Sequence, residues 1–177
     1  MPRFVALLRG VNVGGARVAK MADVTAAFYN AGGTNVATFI QSGNVVFAHE
    51  ARSAQTIAPA LEAALAAKLG FDVTLTLRTP RELAAVIAKN PFPKADPKTV
   101  HVYFAPAKLA AGALEGIDAK KLEPEEFKAS GREVYLHLPK GMGNSRLAAA
   151  LARKPALALA TARRIEVVEK ILALATA

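Results

Sequence analysis

The chain has 177 residues, 53% of them hydrophobic, with a formal net charge of +9 and an isoelectric point near 10.0. It contains no cysteine, which excludes disulfides, thiolate metal sites and cysteine nucleophiles, and its three histidines, His49, His101 and His137, lack metal-ligand spacing. The length suits one ordinary domain or two small ones, and the basic balance points either to an anionic partner, whether phosphate, nucleotide, nucleic acid or an acidic protein surface, or to solubility alone, which the spread of lysines and arginines along the whole chain favours somewhat.

No apolar run reaches the roughly 18 residues of a membrane span, so no membrane partner is expected. Met1-Pro2-Arg3 leads directly into a strand-like stretch without the three-part pattern of a signal peptide, so a cytoplasmic location is expected. No metal or cofactor motif is present.

Taken in order, residues 3–9 are nearly continuously apolar between two arginines, as in a strand covered on both faces. Leu8-Arg9-Gly10-Val11-Asn12-Val13-Gly14-Gly15 follows as a loop able to take left-handed dihedrals. Met21, Val24, Phe28 and Ala31 recur at helical spacing up to Gly32-Gly33. Residues 35–40 form a short strand, Gln41-Ser42-Gly43-Asn44 a tight turn, and Val45-Val46-Phe47 the returning strand. Ser53 caps a helix with Ile57, Leu61, Leu65 and Leu69 on one face, interrupted by Pro59 and ended by Gly70. Residues 71–77 alternate as a half-buried strand.

The order through Arg78 is βαββαβ, the ferredoxin-like arrangement. Thr79-Pro80-Arg81-Glu82 is a capping box, with Leu83, Val86 and Ile87 behind it. Three prolines within residues 90–97 then mark a connection. The second half shows a strand at 100–104, a short helix near 109–114 and a hairpin turning at Ser130-Gly131. A helix capped by Asn144 or Ser145 follows, then a last helix capped by Thr161 with Ile165, Val168 and Leu172 inward. No residue-level repeat links the halves. The expected class is α+β: a ferredoxin-like module over 1–79, a helix and proline-rich connection over 80–98, and a second, reduced ferredoxin-like module with a C-terminal helix over 99–177.

In such a module the first and second strands run the same way, so the loop at 10–15 and the turn at 41–44 emerge at one edge. Arg9, Gly10, Asn12, Gly14, Gly15, Gln41, Ser42 and Asn44 form a polar, glycine-lined corner there, with Arg17 and Lys20 nearby. That corner is either an oxyanion cradle or a clasp whose amides satisfy loop backbone. Gly141 and Gly143-Asn144-Ser145-Arg146, with Arg163, form a second candidate anion site, the alternative being a capped helix after a loop. The corner matches neither a dinucleotide fingerprint nor a P-loop. No nucleophile elbow or His-Glu-x-x-His helix occurs, so no catalytic residue is assigned.

Residues Val5 to Gly15, with Phe39-Ile40-Gln41-Ser42-Gly43-Asn44-Val45-Val46-Phe47, closely resemble the DUF1697 family, a bacterial family of unknown function. Looser matches run through Asn90-Pro91-Phe92-Pro93, His101-Val102-Tyr103-Phe104 and Gly143-Asn144-Ser145-Arg146. The resemblance implies an α+β fold with two ferredoxin-like modules in tandem. It departs where the family shows Thr-x-Arg-Asn-Trp: here Thr161-Ala162-Arg163 is followed by Arg164 and Ile165. Three functions stand open: a binding protein for a phosphate-bearing ligand at the corner, a structural or interaction module in which the motifs are a clasp, and an enzyme on a small polar substrate with Arg146 and Arg163 as anion clamps.

Overall fold

The apolar run after Arg3 forms β1 (Arg3–Leu8), with five consecutive buried residues. In the computed structural model, which describes residues 1–177, β1 is central because it is hydrogen-bonded on both sides. β3 (Asn44–Ala48) and β4 (Leu75–Arg78) flank it, both antiparallel, and β2 (Thr34–Phe39) pairs antiparallel with β3. The strand order is β2-β3-β1-β4.

Helices α1 (Met21–Asn30) and α2 (Ala54–Leu69) cover one face of this sheet. Their Val24, Phe28, Ile57, Leu61 and Leu65 join Phe4, Ala6, Leu8, Val45 and Phe47 in one core, and Phe28 meets Phe47 edge-on at 5.0 Å. Burial of each large side chain contributes about 1.5–3 kcal/mol. Helix α2 runs unbroken through Pro59 and ends at Gly70, where φ is +78°. Ser53 precedes it as expected but caps with no side-chain bond; its hydroxyl meets Gln55 Oε1 at 2.7 Å instead. The capping box stands at the start of α3 (Pro80–Ala88): Thr79 N–H donates to Glu82 Oε2 at 2.7 Å and Glu82 N–H to Thr79 Oγ1 at 3.2 Å.

The second sheet has β5 (Val100–Phe104) between β7 (Glu133–His137) and β8 (Thr161–Arg164), with β6 (Glu126–Ser130) on the outer side of β7. All pairs are antiparallel and the order is β6-β7-β5-β8. Helix α4 (Arg146–Ala152) buries Leu147 and Leu151 against Val134, Leu136 and Leu138. Helix α5 (Ile165–Thr176) buries Ile165, Val168, Ile171 and Ala175 at three- and four-residue spacing. The chain divides into two compact units, Met1–Ala84 with Lys170–Ala177, and Ala85–Glu169. In the first, the Arg3 guanidinium donates to the carbonyls of Ala175 and Ala177 at 2.9 and 2.7 Å.

Several local expectations change. Thr161 lies in β8 rather than capping the last helix. The stretch near 109–114 forms turns, with Gly112 and Gly116 at φ +77° and +86°, before a 3-10 turn at Ala119–Leu122. Of residues 71–77 only Leu75 onward is strand, because β1 ends at Leu8, opposite Leu75.

The halves do share a residue-level repeat. Thr76-Leu77-Arg78 in β4 lies opposite Leu7 and Val5, and Thr161-Ala162-Arg163 in β8 lies opposite Phe104 and Val102 in the same register. Both threonines and both arginines are buried, and each arginine donates to the carbonyl before it, Arg78 to Leu77 at 2.9 Å and Arg163 to Ala162 at 2.8 Å.

Candidate functional site: a glycine and asparagine corner

The loop after β1 turns back on itself. Asn12 N–H donates to Arg17 O, Ala16 N–H to Val13 O, and Val13 and Ala16 form an isolated bridge. Between them Gly14 and Gly15 have φ of +63° and +75°, the left-handed pair a mirror-image two-residue turn requires. Residues 13–18 are therefore a small exposed hairpin.

Asn12 fastens its base. Its own φ is +55°, and its side-chain amide donates to Ala19 O and to Gln41 O, both at 2.8 Å, while Oδ1 accepts Ala19 N–H at 2.8 Å. One side chain thus joins the loop, the entry to α1 and the turn between β2 and β3. Asn44 does the same inside the turn: 1% exposed, it donates to Phe39 O at 2.9 Å and to Ser42 Oγ at 3.0 Å. Gly43, at φ +82°, lies so close to Leu8 and Val11 that a Cβ would come within 2.7 Å of both. Cβ positions at Gly10, Gly14 and Gly15 meet nothing within 4 Å.

The charged residues divide. Arg17 stacks over Phe71 at 5.1 Å and its guanidinium donates to Asp72 O. Arg9 is held by its backbone, N–H to Thr74 O at 2.9 Å, and neither its side chain nor that of Lys20 has a hydrogen bond or ion pair. Around the clasp Val13, Val18 and Ile40 stand 66%, 65% and 50% exposed. Ile40 also has φ of +50°, a conformation a β-branched residue adopts at a cost of about 1–3 kcal/mol.

The residues of the second proposed anion site do not all meet. Ser145 caps α4, its Oγ accepting Ala148 N–H at 2.9 Å, and Glu125 Oε2 accepts Leu147 N–H at 2.8 Å. The carboxylate at this helix start is the chain's own. Arg146 donates to Lys121 O at 2.9 Å, and Gly143 and Asn144 are exposed in the turn before it. Arg163 lies on the other face of the sheet, since it stands opposite Val102 and on the side of Tyr135, whereas α4 packs on Val134 and Leu136. Its guanidinium donates to Thr161 Oγ1 at 2.8 Å, and burial pulls its pKa down to about 10. The structure thus joins Ser145 to the first turn of α4 and Arg146 to the backbone of Lys121, and separates both from Arg163.

Sequence reading placed the two motifs together from strand direction alone. It missed the exposed apolar residues around the clasp, for which the only available signal was a valine in a glycine-rich turn and an isoleucine before Gln41. It also missed the destination of the asparagine amides, which depends on loop geometry.

The fold and corner define a mixed α+β protein of two four-stranded antiparallel sheets, with no Asp, Glu, Cys or His cluster able to hold a metal and no helix long and apolar enough to cross a membrane. Residues 1–135 match the family model described as a protein of unknown function, DUF1697, and the chain belongs to that family. The structure of the conserved bacterial protein SP0830 from Streptococcus pneumoniae is similar, at a TM-score of 0.74 and 22% identity, with 98% of each chain covered. No curated protein matches.

Proposed function

We propose that the two glycine and asparagine motifs are a structural clasp, and that the protein is a cytoplasmic binding module that presents the hairpin at 13–18 to a phosphate-bearing polymer. We read its strand orders as two ferredoxin-like modules in tandem, the second with turns in place of its first crossover helix. The observation that carries the clasp is the use of Asn12: three of its four side-chain hydrogen-bonding positions are spent on Ala19 and Gln41. A ligand gripping that amide has to break the bonds that shape the corner.

Recognition then falls to Arg9 and Lys20, whose side chains are unpaired, and to the exposed Val13, Val18 and Ile40. The net charge of +9 supports a polyanion. The test is fluorescence anisotropy of a labelled single-stranded oligonucleotide across a salt series. Arg9→Gln with Lys20→Gln should keep the melting temperature and lower the slope of log K against log salt by about 1.4, two single-strand phosphate contacts. Asn12→Ala should chiefly lower thermal stability. An unchanged slope, or no oligonucleotide binding at low salt, removes the polyanion and leaves the clasp alone.

A further inference from the structure

The second unit carries an open hollow that follows from what replaces a helix. In the first unit α1 and α2 pack side by side on their sheet. In the second unit α4 follows β7 as α2 follows β3, but the segment between β5 and β6 is turns and the 3-10 turn at Ala119–Leu122. A short 3-10 turn is a poor substitute for a ten-residue helix, and a hollow of about 370 Å³ remains between it and the end of α4. That volume falls within the range of about 300–1,000 Å³ typical of small-molecule sites.

Its lining is amphipathic. Ile117 and Leu122, which pack against the unit's core, and Ala150 give it an apolar floor. Lys121, Arg153 and Lys154 stand around it with a single carboxylate, Asp118. Asp118 is 3.5 Å from the Lys121 ammonium, and Lys154 donates to Glu115 O. The Arg153 guanidinium has no partner of its own. The arithmetic of charge is three cations against one anion, so the hollow has an excess of positive charge over an apolar floor.

We infer that this hollow binds a small organic anion: a flat or compact apolar body lying on Ile117, Leu122 and Ala150, with a phosphate or carboxylate head against Arg153. An arginine fork suits either head, because its paired N–H groups match two oxygens at once. A purely apolar occupant leaves the cations uncompensated, and a bare inorganic anion leaves the floor wet. The site is separate from the glycine corner and does not depend on the function proposed for it.

The test uses the full chain and 1-naphthyl phosphate as probe, with 1-naphthol and inorganic phosphate as comparators, followed by calorimetry and by amide chemical shifts. Naphthyl phosphate should bind with a Kd on the order of 0.1–1 mM, the range of an efficient fragment, shifting amides at 116–122 and 150–154, and each comparator at least tenfold more weakly. Arg153→Gln should weaken the probe about tenfold, and Ala150→Met, which places a flexible side chain over the floor, should abolish binding while the melting temperature holds. Binding of naphthol as tight as naphthyl phosphate overturns the inference. So do shifts elsewhere in the chain, or Arg153→Gln and Ala150→Met variants that bind as the parent does. Arg9→Gln with Lys20→Gln should leave the naphthyl phosphate Kd unchanged, which separates a failure here from a failure at the corner.

Discussion

Replacing Gly43 by alanine separates two costs that glycine positions usually mix. At φ +82° any other residue is in the left-handed region, a penalty of about 1–2 kcal/mol. The added methyl also has nowhere to go: it would come within 2.7 Å of Leu8 Cβ and of Val11 Cγ2, both on buried residues. The turn cannot retreat, because Gly43 O accepts the Leu8 N–H at 2.8 Å. Overpacking of this kind adds about 1–3 kcal/mol, for a total of about 2–5 kcal/mol. Gly15→Ala is the control: φ is +75° and the methyl meets nothing within 4 Å, so only the left-handed penalty of about 1–2 kcal/mol applies. Urea unfolding followed by far-ultraviolet circular dichroism, with calorimetry to identify the transition of the first unit, compares the two. Equal losses in the two variants would refute the argument that close contact with Leu8 and Val11 is what demands glycine at 43.

Other substitutions test other parts of the structure. Tyr135→Phe removes a buried hydroxyl that donates to Val86 O at 2.8 Å, and should cost about 1 kcal/mol by chemical denaturation; the phenol itself is held up to about 12 by burial and by the Glu133 charge. Thr79→Ala opens the capping box of α3 and should cost about 1 kcal/mol in the same assay. His101 is buried with Nδ1 unpartnered. Burial holds its pKa below the ordinary 6.5, the Arg164 charge adding to this and the Thr99 backbone opposing it. Since the folded value is the lower one, the unfolded chain takes up the proton first as pH falls. The stability present above 6.5 is lost as pH drops toward and through the folded value. Melts of His101→Leu between about pH 7 and 5 should show a shallower decline than the parent, and parallel curves would exclude His101 as the source.

What the sequence made legible was whatever depends on local chemistry or on strand direction. Thr79-Pro80-Arg81-Glu82 announces its helix because Thr79 and Glu82 bond to each other within one turn, and the hairpin at Ser130-Gly131 is equally local. The meeting of the 10–15 loop with the 41–44 turn follows from element order alone. β8 escaped because Thr-Ala-Arg-Arg has no apolar alternation. Its Arg163 is 8% exposed, and nothing local marks a charged side chain as buried. The same disguise hid the repeat: Ala162 stands where Leu77 does and Arg164 where Thr79 does, so the shared Thr-x-Arg emerges only when β4 and β8 are set against their partners. The segment at 109–114 is made of helix-forming leucines and alanines, but Gly112 and Gly116 in left-handed conformations break it into turns. The asparagines were recognisable as site-like residues; that their amides point inward onto backbone carbonyls depends on the φ of Asn12 and the burial of Asn44, which spacing does not encode.

The bonds from Arg3 to the carbonyls of Ala175 and Ala177 bear on the order of events at the ribosome. Residues 1–84 emerge first, yet 170–177 belong to the same compact unit. Residues 85–169 have all they need for their own sheet while those last turns of α5 are still being made. The unit built on the earlier residues is therefore complete only when 170–177 are in place, and until then the Arg3 guanidinium lacks acceptors that lie more than 170 positions downstream.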